Sequence, residues 1–283
     1  MNEMSNFKAT ALTEATLRSQ APSIYAAGPM SGLSARYTFV PTARIVDGLR
    51  EHGWVPVTVE EQRIRCEARR GFQKHLLRFR LAVQMETLDE CNVELVVVNS
   101  HDAGCAYQLH AGLFRRICCN GLVLSSDSFQ AIRFRHAGLE PDEVVEASFR
   151  LIEFMPRVGQ LVQTFRERVL KPAESRAFAE QALLLRYPTM EEAPIAPETL
   201  LQARRPEDEG SDLWVTMNRA QEALTQGGLS DDRRDRRGKL RSVRPLRGID
   251  SKVTVNKGLW GLAERFARGD TAPVPDHAVA LGA

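Results

Sequence analysis

Residues 74–82, KHLLRFRLA, set His75, Leu77, Phe79 and Leu81 on one side of an extended chain and Lys74, Leu76, Arg78 and Arg80 on the other. Residues 129–137, FQAIRFRHA, repeat the device, with Ile132, Phe134 and His136 alternating with Arg133 and Arg135. Period two over this length is the signature of a strand with one apolar face and one wet face. In this reading both phenylalanines turn inward and the arginines outward. Residues 54–65, WVPVTVEEQRIR, form another candidate strand, with Arg63 and Arg65 extending the basic face, and CEARRGFQ closes a hairpin onto residues 74–82. Residues 93–100, VELVVVNS, are nearly all apolar and so central. Residues 104–114, GCAYQLHAGLF, follow after the turn-forming NSHDAG. Such short connections require antiparallel pairing, because parallel strands need long crossovers.

On either side of the sheet the period changes. PTARIVDGLREHGW reads as a helix with Ile45, Val46 and Leu49 on one face and Gly53 where a left-handed cap belongs. A shorter helix is expected over Ala9–Arg18. From Pro141 to Leu170, apolar residues recur at helical spacing, interrupted by Ser148 and kinked or divided by Pro156. Further helices are read at AESRAFAEQALLLRY, at SDLWVTMNRAQEALTQGG and at NKGLWGLAERFARG, the last with Asn256 as its cap and Gly269 at its end. The expectation is an α+β fold: an antiparallel sheet of about five or more strands, then a mainly helical C-terminal half. Its parts are residues 1–41, partly irregular; 42–138, the sheet core; 139–187, long helices packed on the sheet; 188–210, a linker; 211–269, a helical part with a basic loop; and 270–283, a flexible tail.

The 283 residues are 43% hydrophobic and 26% charged with a net charge of only +2, an ordinary soluble balance. No apolar run reaches a membrane span, and the N-terminal stretch lacks an apolar signal core, so the expectation is cytoplasmic with no membrane partner. Five reduced cysteines fit that compartment, and adjacent Cys118 and Cys119 suit neither a disulfide framework nor a zinc motif. No phosphate loop, dinucleotide glycine pattern or HExxH helix occurs, so no cofactor and no metal are expected.

Charge distribution says more than the sum. Residues 63–80 hold seven basic residues against Glu67, and residues 233–247 hold eight against Asp235. The second run, with its glycine and proline, reads as a loop, either one that orders on nucleic acid or a solvated connector. Separated basic patches suit a polyanion, and arginine grips phosphate bidentately. The candidate nucleic-acid contacts are Arg63, Arg65, Arg78, Arg80, Arg133, Arg135, Arg233, Arg234, Arg236, Arg237, Lys239 and Arg241, with Phe72 or an exposed Tyr107 stacking on bases. The bland alternative for the strand arginines is a solvated face, against which stands a shortage of nearby acids. His101, Asp102, Cys105, His110, Cys118 and Cys119 suggest metal or nucleophile chemistry, but His101 and Asp102 fall in a turn and the spacing matches no metal class.

The stretches KHLLRFR, VVVNSHDAGCAYQLHAGLFRRICCNGL, IRFRHAG, LWVTMNRAQEALTQGG and VNKGLWGLAE occur in this order between about Thr42 and Glu264. As a set they resemble the phage- and plasmid-associated "domain of unknown function 932" family. Arg116, Cys119 and Ala223 depart from its pattern. The resemblance transfers no catalytic residue and implies a mobile-element setting. The leading expectation is an accessory protein that binds nucleic acid, including single-strand binding or annealing. A counter-defence factor masking a host restriction or immunity protein is the alternative, and an enzyme at the Asn99–Asn120 region is a third reading. The partners to test are therefore nucleic acid, a host protein and a second copy of the chain.

Overall fold

Alternation alone makes residues 74–82 extended; their neighbours make them the interior of a sheet. The structure, a computed structural model, describes residues 10–84, 91–115, 120–123, 131–153 and 155–273. The chain divides into two compact units, residues 1–123 with 129–155 and residues 124–128 with 156–283.

In the first unit, helices α1 (Glu14–Gln20) and α2 (Thr42–Glu51) precede strands β1 (Trp54–Glu61), β2 (His75–Leu81), β3 (Cys91–Asn99), β4 (Tyr107–Arg115), β5 (Asn120–Val123) and β6 (Ile132–Phe134). Helix α3 (Pro141–Glu153) follows. The strands form one sheet in the order β1-β2-β3-β4-β5, with β6 paired to the other end of β4, and every pairing is antiparallel. Proline at position 56 has no N–H to donate, and the register of β1 shifts between Pro56 and Thr58. The Pro56 carbonyl accepts the Leu12 N–H at 2.7 Å.

Register decides which side chains share a face. Leu77 lies opposite Val97, Val97 opposite Leu109, and Phe79 opposite Leu95. These residues and Trp54 are buried in one core with Leu17, Ile45, Val46 and Leu49 of α1 and α2, and Val144 and Ala147 of α3; Phe134 packs against it partly buried. Each large side chain removed from water here contributes roughly 1.5–3 kcal/mol. Ser148 is buried within α3, its hydroxyl donating to the Val145 carbonyl, so a polar residue sits in the apolar stripe without an unmet bond.

The second unit holds α4 (Met155–Glu167), α5 (Pro172–Leu184), α6 (Pro197–Leu200), α7 (Leu213–Gln226), the hairpin strands β7 (Ser230–Arg234) and β8 (Leu240–Ser242), and α8 (Ile249–Ala267). Phe165 meets Trp260 and Phe178 meets Phe266, with ring centroids 5.0 and 5.2 Å apart. The Asp212 side chain caps α7 by accepting the Val215 N–H at 2.9 Å.

Several expectations differ from what folds. Residues 63–65 lie beyond β1, so Arg63 and Arg65 belong to the β1–β2 connection. Cys118 and Cys119 lie outside the described residues, as does the tail from residue 274. Asn120 and Gly121 start β5. The long helix is divided, and Pro156 takes the second position of α4, where its missing N–H costs nothing. The basic run folds as a hairpin instead of a loop. Asn256 is no cap: α8 starts at Ile249, and the Asn256 amide oxygen accepts a bond from Gln221 Nε2 of α7 at 3.0 Å. Residues 188–210 bury Ala193, Ile195, Leu200 and Asp208.

Candidate nucleic-acid interface

The turn of the β7–β8 hairpin is built so that its one acid is consumed and its bases are displayed. Asp235 Oδ1 accepts the N–H groups of Arg237 at 2.8 Å and Lys239 at 3.0 Å, and Gly238 takes φ +75° to close the turn. The two N–H bonds, from Lys239 and Arg237, hold the Asp235 carboxyl below the usual carboxylate range. Arg234, Arg236, Arg237 and Lys239 are exposed, and Arg236, Arg237 and Lys239 have no ion-pair partner among the described residues.

The root of the hairpin is pinned by two other arginines. Arg233 Nη1 donates to the carbonyls of Met190 at 3.0 Å and Ala193 at 3.2 Å. Arg241 donates to the carbonyls of Glu191, at 2.8 Å, and Glu192. An open depression of about 430 Å³ lies between them, lined by Met190, Glu191, Arg233, Arg234 and Arg241. Its guanidinium groups are therefore held in place by backbone before any ligand arrives.

The strand arginines separate into two groups. Arg63, Arg65, Arg133 and Arg135 are exposed. Arg78 and Arg80 are not on a wet face: Arg80 is 3% and Arg78 9% exposed. Glu94 of β3 reaches both, with Arg78 Nε 2.6 Å and Arg80 Nη2 2.7 Å from its carboxylate oxygens. The acid that pairs these arginines is distant in sequence and adjacent in space, which no local count of charges detects. Tyr107 is fully buried and so has no face to offer a base; Phe72 is partly exposed.

At the end of the sheet carrying the β3–β4 turn, a buried polar cluster gathers residues that have no common local signal. Thr42 Oγ1 lies 2.9 Å from His75 Nε2 and 3.3 Å from His101 Nε2, and accepts from Asn99 Nδ2 at 2.9 Å. His75 Nδ1 is 2.9 Å from Ser23 Oγ and 3.3 Å from the Gln73 carbonyl. Burial pushes His75 down to about 3, with His101 adding to the effect, and pushes His101 down to about 4, helped by His136. In the turn, Arg69 grips Asp102 Oδ2 through Nε at 2.7 Å and Nη2 at 2.5 Å. Burial works to raise the Asp102 carboxyl, but Arg69, Ser100 and the Gly104 N–H together hold it low. Ser23, Thr42 and His75 escaped the sequence reading because only tertiary structure brings them to His101. His110 lies apart from this cluster, its Nε2 3.2 Å from Gln108 Oε1. Among the described residues, no group of three or more His, Cys, Asp and Glu side chains is placed to hold a metal ion.

Among the described residues no helix is long and apolar enough to cross a membrane. A family model described as a domain of unknown function (DUF932) matches residues 29–260, a span that includes the sheet and the basic hairpin. The chain is 35% identical over 253 residues to UPF0380 protein YafZ of Escherichia coli (strain K12), covering 89% of this chain and 90% of that protein. It is 34% identical over 253 residues to UPF0380 protein YfjQ of the same organism, with the same coverage. No solved structure gives a significant match.

Proposed function

This chain belongs to the DUF932 family of domains of unknown function, and on that premise we propose that it binds nucleic acid through the β7–β8 hairpin. The observation that carries the reading is the turn at residues 235–239. Its one acid is bonded to backbone N–H groups, while Arg236, Arg237 and Lys239 stand exposed without ion-pair partners among the described residues. Exposed bases at a loop tip, above a depression with prearranged guanidinium groups, suit a repeating phosphate backbone. No pattern of base-reading side chains accompanies them, so the contact is to phosphate and carries little sequence preference. Arg63, Arg65, Arg133 and Arg135 are further exposed contacts on the first unit, whereas Arg78 and Arg80 act inside the sheet. The setting proposed is a prophage or plasmid, where single-stranded intermediates need binding or annealing.

The test is fluorescence anisotropy of labelled single- and double-stranded DNA with the full chain, titrated against salt. Binding should weaken linearly in log–log form, and Arg236→Ala with Arg237→Ala and Lys239→Ala should flatten the slope by roughly 0.7–0.9 for each phosphate no longer neutralised. Absence of binding at low salt, or a slope indifferent to the triple substitution, sinks the reading.

A further inference from the structure

On the sheet face opposite the apolar core, the described residues set two guanidinium groups against one carboxylate. Arg78 lies opposite Val96, and Val96 opposite His110; Leu76, Val98, Gln108 and Arg133 form the next row. By the same alternation this face carries Arg78, Arg80 and Glu94. At its centre, one carboxylate serves two guanidinium groups. The Glu94 side chain is 1% exposed, that of Arg80 4% and that of Arg78 11%. Arg78 Nη2 and Arg80 Nε are buried with no hydrogen-bond acceptor among the described residues. The Phe114 ring, 5.0 Å from the Arg80 guanidinium and 5.6 Å from that of Arg78, supplies only partial compensation.

Arginine does not shed its proton in proteins, so burial cannot remove such an excess by neutralising it. An uncompensated buried charge is among the costliest features a fold can carry. Across β4, the position opposite Glu94 is Gly112, which adds no side chain beside the carboxylate.

We propose that this face holds an oxyanion, a phosphoryl or carboxylate group, seated between Arg78 and Arg80 and completing the charge that Glu94 half-compensates. The anion accepts from Arg78 Nη2 and Arg80 Nε. The seat lies in the first unit and is independent of the hairpin.

Thermal unfolding of the full chain in sodium phosphate, sodium acetate and sodium chloride, matched for ionic strength, tests this. Wild type should gain about 4 °C at saturating phosphate, saturably, over the chloride series. Arg80→Met leaves a one-to-one pair and should lose the saturable part, keeping only the general salting effect. Glu94→Gln enlarges the excess and should respond more strongly than wild type, including folding only when the anion is present. Acetate matching phosphate assigns the seat to carboxylates; response to phosphate alone assigns it to phosphoryl groups. The hairpin variant with Arg236, Arg237 and Lys239 changed to alanine should keep the full response. An identical response in wild type and Arg80→Met, no enlargement in Glu94→Gln, or loss of the response in the hairpin variant overturns the proposal. If Arg80→Met does not fold, the Glu94→Gln comparison decides alone.

Discussion

Thr42 Oγ1 and His75 Nε2 lie 2.9 Å apart in the buried end of the sheet, and that contact sets the protons of the whole cluster. The Gln73 carbonyl near His75 Nδ1 can only accept, whereas the Ser23 hydroxyl there can donate or accept, so the arrangement that satisfies both neighbours puts the proton on Nδ1 and leaves Nε2 a bare acceptor. Thr42 therefore donates its hydroxyl proton to His75. Its oxygen accepts from Asn99 and from the Nε2–H of His101. His101 Nδ1 is left unprotonated, without a hydrogen-bond partner among the described residues.

The two histidines should thus be opposite tautomers. A long-range nitrogen–proton correlation spectrum at neutral pH should show His75 protonated on Nδ1 and His101 on Nε2. Identical tautomers for both rings would break this chain of donors.

Thr42→Val removes the shared hydroxyl while keeping its shape, leaving Asn99, His75 and His101 each short of a partner. Orphaning buried polar groups in this way should cost roughly 2–4 kcal/mol in chemical denaturation. Thr42→Ser keeps the hydroxyl and should lose less than about 1 kcal/mol. Equal losses for the two variants would mean that the methyl group, and not the hydroxyl, is what matters.

Acid should unfold the protein earlier than its carboxylates alone require. His75 and His101 are held near 3 and 4 in the folded chain, against about 6.5 unfolded. Both are neutral when folded, so their contribution is complete above pH 6.5. Below it the unfolded chain takes up protons that the native state refuses. Stability then falls by about 1.4 kcal/mol per pH unit for each ring, from 6.5 down toward pH 4 for His101 and pH 3 for His75. Replacing His101 with asparagine should roughly halve the histidine part of that slope, measured as denaturation midpoints between pH 6.5 and 4.5.

Backbone alternation made the sheet and its antiparallel order legible, because one buried face imposes period two on each strand. Helix α7 was legible to its end at the glycine pair, since a glycine stop is local chemistry, whereas its Asp212 cap was not singled out. What escaped was long-range. Glu94 reaches Arg78 and Arg80 only through the β2–β3 register, and a scan for nearby acids passes over it. Asn256 looked like a cap because asparagine favours that position, but its bond to Gln221 across helices places it inside α8. Thr42, Ser23 and His75 have ordinary local contexts and become a cluster only when the turn at Pro22–Tyr25, α2, β2 and the β3–β4 turn converge.

The adjacent glycines after α7 provide a controlled pair. Gly227 has φ +72°, and a Cβ there would lie 2.5 Å from the Val243 carbonyl oxygen. Gly228 has φ +90°, and a Cβ there would meet nothing within 4 Å. Alanine at 228 should cost only the backbone strain, roughly 1–2 kcal/mol, whereas alanine at 227 should cost more than about 3 kcal/mol by adding the clash. Thermal melts of the two variants rank them directly, and equal losses would show that Val243 yields.

The hairpin's tip and root should fail in different ways. Arg237 is exposed with no ion pair among the described residues, and its backbone N–H, which alanine retains, is what the Asp235 carboxylate binds. Arg237→Ala should therefore leave the melting temperature within about 1 °C while flattening the salt dependence of DNA binding by about one phosphate. Arg241 instead ties β8 to the carbonyls of Glu191 and Glu192. Arg241→Ala should release that strand, costing roughly 1–2 kcal/mol and speeding hydrogen exchange at residues 230–242. Its effect on binding should exceed that of a single phosphate, because the displayed bases lose their fixed placement as well as one charge. Arg241→Lys restores the charge but cannot reproduce two bonds from one planar group, so it should recover part of the affinity without recovering the exchange protection. Full recovery of both by lysine would reduce Arg241 to a point charge and remove the case for a prearranged interface.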